Sequence, residues 1–103
     1  MILTMSIYGF GSYFKGASAY QDIDLLIVHN STDYSACLAA ISLKNSILQE
    51  IGSAGVSILS RVAELEFDFI QRSQAILLVE IEGSYKDSEL MELFRKVNTY
   101  KKT

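Results

Sequence analysis

The chain has one cysteine among 103 residues, and no proline or tryptophan. A lone thiol excludes an intramolecular disulfide framework, and without a cluster of thiols there is no structural zinc site. No apolar run approaches the roughly 18–20 residues that span a bilayer, so a membrane is not among the expected partners. The N-terminal MILTMSIYGFGSYFKG has no basic stretch ahead of its apolar residues and no small-residue cleavage signal. Secretion is therefore not expected, and a soluble cytoplasmic protein is. No repeat, linker or low-complexity stretch divides the sequence, which reads as a single domain over residues 1–103.

Half of the residues are hydrophobic, too many for a disordered chain and enough to fill one core. The net charge of −3 argues against an enveloping nucleic-acid surface. Eight of the twelve acids lie between Glu64 and Glu92, while Arg95, Lys96, Lys101 and Lys102 form a basic end. That end reads as a solvated helix terminus favoured by the helix dipole.

Ile2 to Phe10 reads as a buried strand closed by the glycine-rich turn GFGSYFKGAS. Asp22 to His29 is the clearest strand, with Leu25, Leu26, Ile27 and Val28 in a continuous apolar run, as expected when both faces are covered. The cluster NSTD then offers a helix cap, Cys37, Ile41, Leu48 and Ile51 mark one helical face, and Gly52 suits the helix end. Gly55 to Leu59 is a short third strand. AELEFDF alternates as an exposed strand would, yet Val62, Leu65, Phe69 and Ile70 also fit a helix face; helix is the expectation taken. Ala75 to Ile81 fits a strand or a helix continuation. Ser84 to Tyr100 reads as an amphipathic helix with Leu90, Leu93, Phe94 and Val97 inward. Strands alternating with helices indicate a layered sheet with helices packed on it.

One segment carries chemistry: Gly11-Ser12, nine residues, then Asp22-Ile23-Asp24. Residues two apart on a strand share a face, so two carboxylates stand side by side at the start of an apolar strand. Their repulsion and desolvation would be relieved by a divalent cation. Magnesium suits such a pair, since it takes one or two carboxylates with phosphate oxygens and waters. Backbone amides near Gly11 and the Ser12 hydroxyl suit phosphate oxygens, and Lys15 adds positive charge. Together these describe nucleotidyl transfer. On spacing alone, a structural turn beside solvated carboxylates also accounts for both halves.

The stretch IYGFGSYFKGASAYQDIDLLIV resembles the signature of the minimal nucleotidyltransferase family, within the polymerase beta superfamily. Phe10, Gly11, Ser12, Lys15, Gly16, Asp22 and Asp24 fall on its pattern, with Lys15 where arginine is more usual. The resemblance runs to about Leu78 and supports helix for AELEFDF. It implies an α+β fold: a mixed β-sheet flanked by helices, polymerase beta-like, here lacking the usual first helix. It also implies Gly11 and Ser12 at the triphosphate, ATP being the expected nucleotide, with Lys15 assisting and Asp22 and Asp24 as catalytic ligands of Mg2+. Small members of the family pair, as antitoxins, with HEPN-type toxin proteins, so the acceptor hydroxyl is expected on such a partner.

The absent first helix leaves an edge or packing face for a partner or second copy, so a homo- or hetero-oligomer is expected. The family's third strand carries a third carboxylate, where this chain has Ser57 within Val56-Ser57-Ile58. A hydroxyl there cannot serve as a general base as a carboxylate could. Glu66, Asp68 and Glu80 satisfy the local pattern at the wrong positions. Two readings follow, a nucleotidyltransferase or a catalytically impaired domain that acts by binding; a third is an unrelated α/β ligand-binding module.

The remaining candidates read as structure. His29 is a surface or core histidine before it is a site-rim residue, and Cys37 a buried thiol. Tyr8, Tyr13, Phe14 and Tyr20 gather around the loop, where Tyr13 or Tyr20 stacking on a base is weighed against core or cover. Glu64, Glu66 and Asp68 read as a solvated helix face.

Overall fold

Strand β1 (Thr4–Phe10) alternates: Met5, Ile7 and Gly9 are buried, and the residues between them are half-buried. Met5 and Ile7 belong to the core beneath the helices. The computed structural model describes residues 3–16, 22–83 and 85–100. Ile2, Tyr20, Ser84, Lys101 and Lys102 lie outside them.

The remaining elements are β2 (Ile23–His29), α1 (Tyr34–Glu50), β3 (Ala54–Ser60), α2 (Arg61–Phe67), α3 (Phe69–Ser73), β4 (Ile76–Glu82) and α4 (Asp87–Asn98). The four strands of the described residues form one sheet in the order β3-β2-β1-β4. β1 is antiparallel to both neighbours, whereas β2 and β3 are parallel, with α1 as their crossover. The chain is thus α+β, a mixed sheet with helices on it. No described helix is long and apolar enough to cross a membrane.

The core lies on one sheet face. Leu25, Ile27, Val56 and Ile81 from the strands meet Ala40, Leu43 and Ile47 of α1 and Leu93 and Val97 of α4. Each large apolar side chain so buried contributes about 1.5–3 kcal/mol. On the opposite face Leu26 and Val28 are also buried, where α2 packs on β2 and β3. Coverage from both sides explains the unbroken apolar run of β2.

Several expectations change in detail. The buried residues of α1 are Ala36, Ala40, Leu43 and Ile47, not Cys37, Ile41, Leu48 and Ile51. The small alanines let the helix approach the sheet, and the bulkier stripe lies to one side; Cys37 is only half-buried. No side chain caps α1 at Asp33. Instead Asn30 Oδ1 accepts the Thr4 N–H, and Ser31 Oγ accepts that of Asp33. α1 closes at Ile51, whose N–H reaches the Ile47 carbonyl, so the helix ends directly before Gly52 as expected, although Gly52 does not take the left-handed backbone of a glycine cap.

AELEFDF is helical but broken at Asp68, which takes left-handed backbone between α2 and α3. Val62 and Leu65 face solvent, while Glu64 is buried and its carboxylate accepts the Ile70 N–H at 3.0 Å. Glu64 thus holds α3 against α2 and is no part of a solvated face. The segment after Ala75 resolves as a strand. α4 follows its expected pattern, with Leu93 and Val97 fully inside and Leu90 and Phe94 at the margin. Its basic end is tied down in part, because Lys96 Nζ donates to the Leu78 carbonyl at 2.8 Å.

Candidate functional site

The turn after β1 is held from its inner side. Tyr13 and Phe14 are buried, and the Tyr13 hydroxyl donates to the Val97 carbonyl at 2.8 Å. The Phe14 ring lies edge-on to Tyr13 and Tyr100 and directly over Gly9, where an added Cβ would stand 2.5 Å from ring atoms. Tyr13 and Phe14 are therefore core anchors and not base-stacking surfaces. The Lys15 N–H bonds back to the Gly11 and Ser12 carbonyls, and that of Gly16 to Tyr13, forming a tight single turn. This leaves Ser12 and Lys15 exposed on the outer side.

Asp24 stands beside that turn because β1 and β2 pair Phe10 with Asp24. A Cβ on Gly11 would collide with the Asp24 carboxylate, and Gly11 has a φ of +81°, a conformation side chains rarely adopt. On the other flank Asp24 is in register with Gly55 of β3, whose ideal Cβ would lie 3.5 Å from Asp24 Oδ1. The carboxylate thus sits in a slot bounded by two glycines. Burial pushes its pKa above the ordinary carboxylate value, and the charge of Asp22 raises it further. Asp22 itself is exposed.

Gly11, Asp22 and Asp24 are therefore brought together at one end of the sheet. Lys15 makes no ion pair with either carboxylate among the described residues. Ser57 is exposed and in register with Leu26, so it shares Asp24's face of the sheet, two residues beyond Gly55. Glu66 and Asp68 are exposed around the α2–α3 junction. Glu80 lies across the sheet, where its Oε1 accepts the Ser6 hydroxyl. Among the described residues none of the three joins Asp22 and Asp24 in a group able to hold a metal. His29 is buried, with Nδ1 donating to the Ser31 carbonyl, and belongs to the fold. Tyr8 borders a groove of about 340 Å³ with Ser6, Arg61 and Glu80 on the open sheet face.

At Gly55 a Cβ would make only ordinary contact with Asp24, so the close approach that requires glycine is the one at Gly11. Among the described residues no three His, Cys, Asp or Glu side chains gather to hold a metal. The carboxylate pair still fits magnesium in kind: two hard oxygen donors, with Asp24 held in a space that a Cβ on Gly11 would fill and its ionisation made costlier by burial and by Asp22.

No protein-family model matches the chain, and comparison with curated proteins and with solved structures yields no match.

Proposed function

We propose that the chain is a magnesium-dependent nucleotidyltransferase domain with the polymerase beta-like fold, moving a nucleoside monophosphate from a nucleoside triphosphate to a hydroxyl. The observation that carries this reading is the Asp24 carboxylate, seated between Gly11 and Gly55 with Asp22 as its like-charged neighbour. Asp22 and Asp24 would hold the metal. The amides of the turn and the Ser12 hydroxyl would orient the triphosphate, with Lys15 adding charge from the exposed side. Magnesium bound there would stabilise the charge that develops as pyrophosphate departs. The acceptor fits a partner protein, with a HEPN-type toxin as the resemblance implies.

Ser57 favours a second reading, a binder that has lost most of its chemistry. It lies on the face of Asp24 yet brings no carboxylate to activate the acceptor, and general-base assistance is typically worth about 10²–10⁴-fold.

The test supplies magnesium and each labelled nucleoside triphosphate, with and without a helical partner protein, and measures both binding and label transfer. The first reading expects transfer that falls by at least about 10²-fold in Asp22→Asn and Asp24→Asn. Binding without transfer selects the second reading, and Ser57→Asp should then restore measurable transfer. Absence of magnesium-dependent nucleotide binding overturns both.

A further inference from the structure

We propose that two copies of this chain join through the free edge of β3, antiparallel, with α1 packing against α1 beside it. The inference is independent of the nucleotidyltransferase reading.

Among the described residues β3 pairs only with β2, so its outer edge leaves backbone donors and acceptors open to a further strand. Exposed edges invite another strand unless charge, proline, a bulge or a covering group blocks them. The other edge, β4, has such protection. It pairs with β1 through an irregular register, its residues Glu80 and Glu82 are exposed, and Lys96 occupies the Leu78 carbonyl. β3, Ala-Gly-Val-Ser-Ile-Leu-Ser, has none of these.

The flank of α1 at the same edge is apolar. On the side of α1 toward α4, Ser46 Oγ meets the Tyr85 hydroxyl at 2.5 Å. Roughly opposite that side, Tyr34, Cys37, Ile41, Lys44, Leu48 and Ile51 recur at spacings of three and four, the seam pattern of paired helices. Tyr34 and Ile41 are 79% and 47% exposed, while Cys37, Lys44, Leu48 and Ile51 are half-buried, Leu48 and Ile51 with their inner sides on the core. Only Lys44 in this stripe is charged.

A second copy fits both features at once. Full overlap of the two strands places the twofold axis at Ser57. α1 lies over β2 and β3, so with strands about 4.8 Å apart its axis would be about 10 Å from its copy, the separation of packed helices. Three residues of strand from Ala54 to Ser57 cover about 10 Å, or about seven residues of helix. That places Lys44, the middle of the stripe, beside the same axis. Ile41 then meets Leu48 of the copy, and Cys37 meets Ile51. The seven strand residues and six stripe residues fall short of the roughly 20–30 a side of a standard interface, and Lys44 opposes its own copy. The dimer is accordingly of micromolar strength.

The axis supplies the test. Directly opposed antiparallel residues have Cα atoms about 4.5–5.5 Å apart, within reach of a disulfide. In a Cys37→Ser background, Ser57→Cys should oxidise to a covalent dimer at micromolar protein, whereas Lys86→Cys, at the far edge, should not. Adding Ile41→Glu should suppress that cross-link about tenfold or more, and Lys44→Leu should tighten the dimer about tenfold in sedimentation. Circular dichroism verifies that each variant is folded. Cross-linking at residue 57 no greater than at residue 86, or undiminished by Ile41→Glu, overturns the proposal.

Discussion

Gly9 and Gly11 stand two residues apart at the end of one strand, and each is glycine because another group occupies the space a side chain would need. At Gly9 that group is the Phe14 ring; at Gly11 it is the Asp24 carboxylate. Gly9 keeps ordinary strand backbone, whereas Gly11 has a positive φ. The same turn therefore faces two ways. Its inner half, Gly9, Tyr13 and Phe14, ties the loop to α4 and the core. Its outer half, Gly11, Ser12 and Lys15, adjoins the carboxylates. The rigidity of the second depends on the burial of the first, since a turn anchored by two buried rings cannot drift from Asp24 without opening the core.

The largest effect is expected from breaking the inner half. Gly9→Ala drives a Cβ into a ring that is already buried against Tyr13 and Tyr100. Overpacking of this kind costs about 1–3 kcal/mol and sometimes more, a large share of the roughly 5–15 kcal/mol that holds a domain together. The denaturant midpoint should fall accordingly, and adding Phe14→Leu should recover part of the loss by making room. An unshifted midpoint in Gly9→Ala would remove the ring from its assigned place.

The two halves were unequally legible in the sequence. Paired aspartates opening an apolar strand, with Gly-Ser at the end of the strand before, suffice to bring Gly11 and Asp24 together, because a strand and its hairpin partner share that end. The buried role of Tyr13 and Phe14 was less visible, since aromatic residues near a loop pack inward or face a ligand with the same composition. Elsewhere the differences arise from tertiary packing, which local spacing does not encode. Ala36 and Ala40 share the sheet-facing stripe of α1 with Leu43 and Ile47, and small residues of this kind carry little hydrophobic signal, while Ile41 and Leu48 repeat at helical spacing on the flank. Glu64 is buried through one hydrogen bond to Ile70, and nothing local distinguishes it from Glu66. Gly55, readable as a strand glycine, acquires meaning only from the register that sets it beside Asp24.

Gly11→Ala tests the outer half, with an intermediate effect. Left-handed backbone at a residue with a side chain costs about 1–3 kcal/mol, and the new methyl must also displace the Asp24 carboxylate. The half-exposed Asp24 carboxylate can swing aside whereas the buried Phe14 ring cannot, so stability should fall no further than in Gly9→Ala, while magnesium-dependent nucleotide binding should fall further than in that variant. Measuring both quantities in both variants separates the halves. A Gly9→Ala protein that remains folded yet loses binding as completely as Gly11→Ala would show the division to be false.

The smallest effect, and one of opposite sign, is expected at Asp24. Its pKa is raised above 3.8 by burial first and by Asp22 second, so the folded chain holds this proton more tightly than the unfolded chain does. Ionisation therefore costs stability, and the cost develops as pH rises from the unfolded value through the raised folded one. The amide of an Asp24→Asn variant carries no such charge. In metal-free buffer Asp24→Asn should match the wild type in thermal melts below about pH 3.8, then become the more stable protein as pH rises, with the difference levelling off above the folded pKa. Magnesium should reverse the order at neutral pH by stabilising only the protein that keeps both carboxylates, since a ligand bound to the folded state raises its stability by mass action. A wild type more stable than Asp24→Asn at neutral pH without metal would mean that the carboxylate already has a partner, and that the slot between Gly11 and Gly55 is a finished structural contact and not a site awaiting a cation.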